Sequence, residues 1–209
     1  MSDDLVLYSN PMSRGRIARW MLEELGQPYR VEYLEYATMK SPEFLALNPM
    51  GKVPTLRHGD AVVTEGAAIC AYLAAAFPDA GLQPEPGTPA SADYFRWLFF
   101  AAGPVEAAVT AKSMGLLPSA EKKGFVGYGT YEDTVDALET AVRGRSFVAG
   151  DRFTAADVYV GAQIGWGIQF GTIEARPAFQ EYWKTLEQRP AYQRATQLDD
   201  AAIKERAAE

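Results

Sequence analysis

A serine stands directly before the first predicted helix, in the segment from Tyr8 to Gly15. A helix N-terminus presents unpaired N–H groups and partial positive charge, and a hydroxyl placed there can donate a hydrogen bond to a bound thiolate. A free thiol with a pKa near 8.5 is only about 3% ionised at pH 7, and lowering that pKa by about two units makes it mostly thiolate. Ser13 is the candidate for this role. It could equally be the residue that caps the helix.

A second segment, Gly51-Lys52-Val53-Pro54, could bind an extended peptide through its backbone. If the bond before Pro54 is cis, Val53 turns its N–H and C=O outward toward such a ligand. The alternative is an ordinary proline at the start of a strand. Lys52 could pair with a ligand carboxylate or remain solvated, the usual state of a surface lysine.

A third segment, Thr64-Glu65-Gly66-Ala67-Ala68, enters an alanine-rich helix. Glu65 could receive a ligand ammonium group while the N–H groups of the helix start receive a carboxylate. A glutamate near a helix start is also favourable without any ligand, so a structural role stays open.

The elements that position these segments follow the order βαβ-αββα over about residues 1–78. Strands are predicted at 5–9, at 29–36, and on both sides of a turn at His58-Gly59-Asp60, with His58 in solvent. The helix that follows Ser13 is expected to stop at Gly26, and Cys70 is expected to be an inert core thiol. This order predicts an α/β layer structure with a mixed four-stranded sheet.

The rest of the chain is predicted to be helical. The proline-rich stretch 79–88 is interpreted as a linker between residues 1–78 and a helical domain, 89–209. Helices are predicted at about 89–117 and 119–143. Thr154 and Asp157 match a capping box at the start of a further helix.

Composition excludes several classes of function. The 209 residues carry a formal net charge of -7, which disfavours nucleic acid as a partner. With one cysteine and one histidine, a disulfide framework and a structural metal site are not expected. The sequence shows no signal peptide and no membrane-spanning stretch. We therefore expect a cytoplasmic location and no membrane partner.

Taken together, the three segments resemble the glutathione transferase family, and the resemblance covers nearly the whole chain. The stretches that carry it are LYSNPMSRGRIARWMLEELG, NPMGKVPTL, VVTEGAAICAYL and, in the C-terminal half, FTAADVYVG. The resemblance implies a thioredoxin-like N-terminal domain, an all-helical C-terminal domain, a homodimer, and activation of the glutathione thiol for attack on a small hydrophobic electrophile. Glutathione is then a co-substrate, and no metal is implied.

The resemblance also implies a role for each site residue. Val53, before a cis Pro54, would pair with the cysteinyl part of glutathione, and Lys52 would lie near the glycyl carboxylate. Glu65 would meet the γ-glutamyl end, with backbone groups at Gly66. Many relatives carry Ser or Thr where Gly66 stands, so one expected hydroxyl contact is missing and affinity could be lower.

The resemblance places the catalytic residue in the turn after the first strand. Comparison with the bacterial cysteine-containing class puts Ser13 at the cysteine position, and comparison with serine-using classes falls between Met12 and Ser13. Ser13 is therefore predicted to donate to the thiolate. Ser9 and Asn10 are alternatives that would otherwise shape the turn, and Tyr8 is an alternative that would otherwise belong to the strand core.

The electrophile is expected to bind between the domains, near apolar side chains. The candidates are Met12, Phe99, Phe100, Met114, Trp166 and Phe170. Two further kinds of function stay open at this stage. One is a glutathione-dependent isomerase or a disulfide or peroxide reductase on the same fold, and the other is a non-enzymatic binding module.

Overall fold

Four short strands form one mixed sheet in the N-terminal part of the chain. In the computed structural model, which describes residues 4–207, they are β1 (Leu5–Ser9), β2 (Tyr29–Tyr33), β3 (Thr55–His58) and β4 (Ala61–Thr64). Their order is β2-β1-β3-β4, with β1 and β2 parallel and the other two pairs antiparallel. The predicted mixed four-stranded sheet is confirmed.

Three helices accompany this sheet, and in the first of them the apolar residues recur on one face. They are α1 (Gly15–Leu25), α2 (Pro42–Leu47) and α3 (Gly66–Ala76), with short 3-10 turns at Thr38–Lys40 and Pro78–Ala80. α1 ends at Gly26, as predicted, where φ is +70° and the N–H bonds to the Leu22 carbonyl. Cys70 is fully buried in α3, and burial raises the pKa of its thiol to about 12, as expected for an inert core thiol.

His58 was predicted to lie in a solvent-exposed turn, and this prediction is wrong. The residue ends β3, opposite Ala61, and its side chain is buried against α3. Its Nδ1 is 2.9 Å from the Tyr72 hydroxyl, and its ring stacks on Phe77 at a centroid distance of 5.4 Å. The β-turn is therefore one residue shorter on the β3 side than the sequence pattern indicated.

The remainder is mostly helical. It contains α4 (Pro89–Phe100), a π-helical turn (Ala101–Val105), α5 (Glu106–Ser113), a 3-10 turn (Lys123–Phe125), α6 (Tyr131–Val142), α7 (Ala155–Gln169), α8 (Pro177–Glu187) and α9 (Pro190–Arg206). Among residues 4–207, no helix has both the length and the apolar character needed to cross a membrane.

The predicted helix at 119–143 begins twelve residues late, at Tyr131. Three glycines lie between 124 and 129, and the last, Gly129, has φ of +69°. That left-handed conformation interrupts any helix, because its backbone cannot continue the right-handed path. Thr130 then caps α6 by accepting the Asp133 N–H at 3.0 Å.

The capping box at the start of α7 is confirmed. Thr154 donates its N–H and its hydroxyl to Asp157 Oδ2, at 2.8 and 2.9 Å. Asp157 Oδ1 also accepts the Val148 N–H and the Tyr182 hydroxyl, each at 2.8 Å. Asp157 is fully buried, so these four bonds replace the water that its carboxylate loses on folding.

Contacts within the described chain group it into two units. Residues 4–82 and 189–207 form the first, and residues 83–188 form the second. α9 belongs to the first unit and packs on α1. The division into domains at 1–78 and 89–209, with a linker at 79–88, stays a prediction.

A buried ion pair joins α1 to α9. Arg19 Nε lies 2.8 Å from Asp199 Oδ1, and both side chains are almost completely shielded from water. Arg19 also donates to the Tyr33 hydroxyl at 2.6 Å. Burial raises the pKa of the Asp199 carboxyl to about 6, and the opposing effect of Arg19 does not cancel this.

This raised pKa predicts a pH dependence of stability. The folded pKa of Asp199 lies above the value of about 3.9 expected in the unfolded chain, so the folded state binds the proton more tightly. Its contribution is fully present below about pH 4 and is lost as pH rises through 6. Relative to Asp199→Asn, the wild-type free energy of unfolding should fall by on the order of 2–3 kcal/mol across this range. Urea unfolding of both proteins between pH 4 and 7.5 measures the difference, and parallel curves would contradict it.

Candidate active site

The three segments that sequence analysis singled out leave the sheet at the same edge. Tyr8 of β1 pairs with Thr55 of β3, and Thr55 pairs with Thr64 of β4. The end of β1, the start of β3 and the end of β4 therefore lie side by side. With adjacent strands about 4.8 Å apart, the line from β1 to β4 is about 10 Å long.

The turn after β1 is closed by Asn10. Its Nδ2 donates to the Leu34 carbonyl at 2.9 Å, and its Oδ1 accepts the Met12 N–H at 2.9 Å. Ser9 is fully buried, and the Tyr8 ring packs near Phe44 at a centroid distance of 5.8 Å. In this conformation the Asn10 side chain shapes the turn and Ser9 is shielded from solvent, so a direct contact between either residue and glutathione stays a prediction without support from the geometry.

Ser13 is half-buried at the end of this turn, two residues before α1 begins. Its hydroxyl donates to the Asn10 carbonyl at 2.7 Å and accepts the Gly15 N–H at 3.0 Å. To donate to a thiolate, the O–H must rotate from the Asn10 carbonyl to the sulfur while the oxygen keeps the Gly15 N–H. That N–H polarises the hydroxyl, which makes it a stronger donor.

The loop before β3 is fixed by two residues that sequence analysis did not single out. The buried Asn48 donates from Nδ2 to the Lys52 carbonyl at 2.8 Å and to the Thr55 hydroxyl at 3.0 Å. Thr55 donates to the same Lys52 carbonyl at 3.1 Å. The Val53–Pro54 bond is cis, as the resemblance implied. An asparagine before a proline is a common turn residue, and this signal could have indicated Asn48.

A second cation lies at this loop. Lys52 is exposed, and Lys40, from the 3-10 turn, donates from Nζ to the Met50 carbonyl at 2.5 Å. Gly51 permits this approach: its φ is +56°, and a Cβ there would lie 2.4 Å from the Met39 carbonyl oxygen. Two ammonium groups near one exposed loop favour a carboxylate ligand.

Glu65 has a backbone conformation that is rare for a non-glycine residue. Its φ is +66° and its ψ is +121°, and among residues 4–207 it is the one non-glycine with positive φ. Such a conformation costs about 1–3 kcal/mol and is typical of functional sites. Its exposed side chain stands at the start of α3, where Gly66, half-buried, begins the helix. The first N–H groups of α3 precede its first intrahelical bond and are oriented toward an anion.

The apolar candidates for electrophile binding fall in both units. Met12 in the first unit is exposed, as are Phe99, Met114 and Phe170 in the second. Phe100 and Trp166 are half-buried. Their participation in one pocket stays a prediction.

Comparisons with known proteins agree with this geometry. Residues 12–76 match the family model described as "Glutathione S-transferase, N-terminal domain". The chain is 28% identical over 205 residues to glutathione S-transferase 3 of Zea mays, covering 91% of this chain and 92% of that protein.

Two solved structures extend the similarity to the fold. A glutathione transferase from Methylococcus capsulatus strain Bath matches with a TM-score of 0.76 at 28% identity, covering 94% of this chain and 99% of the other. A sphingomonad glutathione S-transferase solved with glutathione matches with a TM-score of 0.75 at 28% identity, covering 93% and 98%. In sequence and fold the chain is therefore similar to glutathione transferases over nearly its whole length, and residues 12–76 match the N-terminal domain of that family.

Proposed function

We propose that this protein is a glutathione transferase that uses the Ser13 hydroxyl to activate the glutathione thiol for attack on a small hydrophobic electrophile. The observation that carries the proposal is the common edge of β1, β3 and β4, where all three predicted binding segments emerge. An extended tripeptide spans about 10 Å, which matches the width of these three strands.

Each part of glutathione has a partner along this edge. The backbone of Val53, with its carbonyl and N–H at the start of β3, would pair with the central cysteinyl residue. Lys52 would attract the glycyl carboxylate, supported by Lys40, which is bonded to the same loop at the Met50 carbonyl. Glu65 would bind the γ-glutamyl ammonium, and the α3 N-terminus would bind its carboxylate. Because Gly66 has no hydroxyl, this last contact would depend on backbone N–H groups.

The proposed reaction needs only a stabilised thiolate. The thiol releases its proton to solvent, and the Ser13 hydroxyl donates to the resulting sulfur anion. The sulfur electron pair then forms a bond to the electrophilic carbon while the bond from that carbon to its leaving group breaks, and the leaving group departs into solvent with the bonding electron pair. The apolar residues Met12, Phe99, Phe100, Met114, Trp166 and Phe170 are proposed to bind the electrophile. We also propose that the protein forms a homodimer, that it is located in the cytoplasm, and that it is of the bacterial serine-using type.

Reduction of disulfides by a cysteine of the protein itself is the less favoured alternative. Cys70 is the one cysteine in the sequence, and it is fully buried with a thiol pKa raised to about 12. A reactive cysteine must be accessible and largely ionised near neutral pH. Isomerisation with glutathione as the sole thiol stays open, because it uses the same serine.

Calorimetry with glutathione tests the binding part of the proposal. We expect wild-type binding below millimolar Kd, and we expect Glu65→Gln or Lys52→Ala each to weaken it by about tenfold, equivalent to about 1.4 kcal/mol. Glu132→Gln and Lys122→Ala are matched controls, because both side chains are exposed and neither belongs to the three segments at this sheet edge. Undetectable wild-type binding at millimolar glutathione would overturn the proposal in favour of a module that retained only the fold.

A further inference from the structure

The turn that carries Ser13 is hydrogen-bonded from outside as well as from within. Arg16 Nε donates to the Pro11 carbonyl at 2.7 Å, and the Tyr36 hydroxyl donates to the Met12 carbonyl at 3.2 Å. These two carbonyls belong to consecutive peptide groups immediately before Ser13. Their orientation therefore sets where the Ser13 hydroxyl points.

Both donors are connected to α9, the helix that ends the described chain. The Arg16 guanidinium also donates from Nη2 to Asp200 Oδ1. Glu35, adjacent to Tyr36, pairs with Arg206, whose guanidinium also lies over the Tyr33 ring at 5.5 Å. α9 thus reaches the turn through one side chain of α1 and through the segment after β2.

We propose that Asp200 is a positioning residue of the active site, which acts through Arg16 to fix the Ser13 turn. The inference rests on the proposed role of Ser13 as thiolate donor. Arg16 has a long side chain that occupies many rotamers when it is unrestrained. Two simultaneous contacts, one to Asp200 and one to Pro11, confine its planar guanidinium to one orientation. Without Asp200, Arg16 gains freedom and the Pro11 peptide group loses a fixed donor.

A neighbouring ion pair between α1 and α9 serves as a control, because it distinguishes positioning of the Ser13 turn from simple packing of one helix on the other. Arg194 of α9 pairs with Glu23 of α1 at 3.0 Å, and its side chain is 53% exposed, close to the 51% of Asp200. Both pairs connect the same two helices. Only the Asp200 pair continues to the turn, since Glu23 lies at the opposite end of α1 from Ser13.

The direction in which the pKa of the bound thiol changes in Asp200→Ala distinguishes loss of positioning from loss of the carboxylate charge. Deleting the Asp200 carboxylate removes a negative charge, and by itself this would stabilise a nearby thiolate and lower the thiol pKa. Loss of positioning acts in the opposite direction, because the Ser13 donor is less often aligned with the sulfur. The lost carboxylate charge therefore cannot explain a raised thiol pKa in Asp200→Ala, which requires that Arg16 or the Ser13 turn has moved.

The experiment is an ultraviolet titration of the thiolate of glutathione bound to each variant. We expect Asp200→Ala to raise the bound thiol pKa by about 0.5 unit, a threefold loss of thiolate below the pKa, and Arg194→Ala to shift it by less than about 0.1 unit. In an Arg16→Met background, Asp200→Ala should no longer raise the thiol pKa and should leave only the lowering that the lost negative charge causes, because the intermediary is absent. An unchanged or lowered pKa in Asp200→Ala, or an equal rise in Arg194→Ala, would overturn the proposal.

A second measurement keeps the inference separate from the role of Ser13. In the ligand-free protein the Ser13 N–H bonds to the Asn10 carbonyl at 3.1 Å, and its hydrogen exchange reports how well the turn is fixed. Exchange at Ser13 should be severalfold faster in Asp200→Ala and unchanged in Arg194→Ala. If Ser13→Ala has no effect on the thiol while Asp200→Ala speeds exchange, the proposed chemistry fails and the positioning stands. Equal exchange in both charge variants and the wild type refutes the positioning.

Discussion

Ser13→Ala is expected to raise the pKa of bound glutathione by about one to two units and to lower the turnover rate near neutral pH by about 10- to 100-fold. A hydrogen bond from a neutral donor to an ion contributes about 1.5–3 kcal/mol, which corresponds to this range. The loss should shrink as pH rises, because above its pKa the thiol ionises without help. Binding of glutathione should change far less, since Lys52, Val53 and Glu65 remain.

The measurement combines the thiolate absorbance of the complex with a pH profile of kcat for a chromogenic electrophile. Ser41→Ala is the matched control, because Ser41 also accepts a helix N–H, from Phe44 at 3.3 Å, but caps α2. That variant should lose some stability and keep the wild-type thiol pKa. If Ser13→Ala retained both the absorbance and the rate, serine activation would be ruled out and the thiolate would need another donor.

The parts of the fold that follow local patterns were predictable from the sequence. The strand before Ser13, the end of α1 at Gly26 and the Thr154–Asp157 capping box each depend on a few neighbouring residues. Period and cap chemistry are local properties, so a single sequence contains them. The binding segments were recognisable for a similar reason, since each is a continuous stretch of four to eight residues.

Features that depend on tertiary contacts were not predictable. His58 is polar and adjoins a glycine, which indicates a turn, but the β3–β4 register and the neighbouring Tyr72 and Phe77 bury it. α6 begins late because three glycines outweigh the helical pattern that precedes it.

The candidate site shows the same limit. Asn48 and Thr55 fix the Lys52 carbonyl through side-chain bonds that no periodicity reveals. The Arg16–Asp200 pair joins residues 184 positions apart, so α9 could not be connected to the turn from sequence alone. Ser9 was a candidate because the resemblance places the catalytic residue in the turn after the first strand, while its burial depends on how closely α1 approaches β1.

Gly15→Ala is expected to destabilise the fold by about 2–3 kcal/mol, the range typical of overpacking in a closed core. A Cβ at position 15 would lie 2.0 Å from Ser9 Oγ, 3.1 Å from Ser9 Cβ and 3.0 Å from Ser13 Oγ. Helix propensity alone predicts the opposite result, since alanine is favoured over glycine by about 1 kcal/mol inside a helix. The contact dominates because Ser9 is fully buried and has no room to withdraw.

The partner variant Ser9→Ala separates these two effects. The Ser9 hydroxyl is buried and, among the described residues, has no hydrogen-bond partner, so Ser9→Ala alone should be neutral or stabilising by up to about 1 kcal/mol. In the double variant the 2.0 Å contact is gone, and only the tight approach to the position 9 Cβ remains. A double-mutant cycle measured by urea unfolding should therefore show a coupling of about 1–2 kcal/mol between Gly15→Ala and Ser9→Ala. Strict additivity would show that α1 relaxes away from β1. In that case the Ser13 hydroxyl moves with the helix, and Gly15→Ala should also raise the pKa of bound glutathione while Ser9→Ala does not.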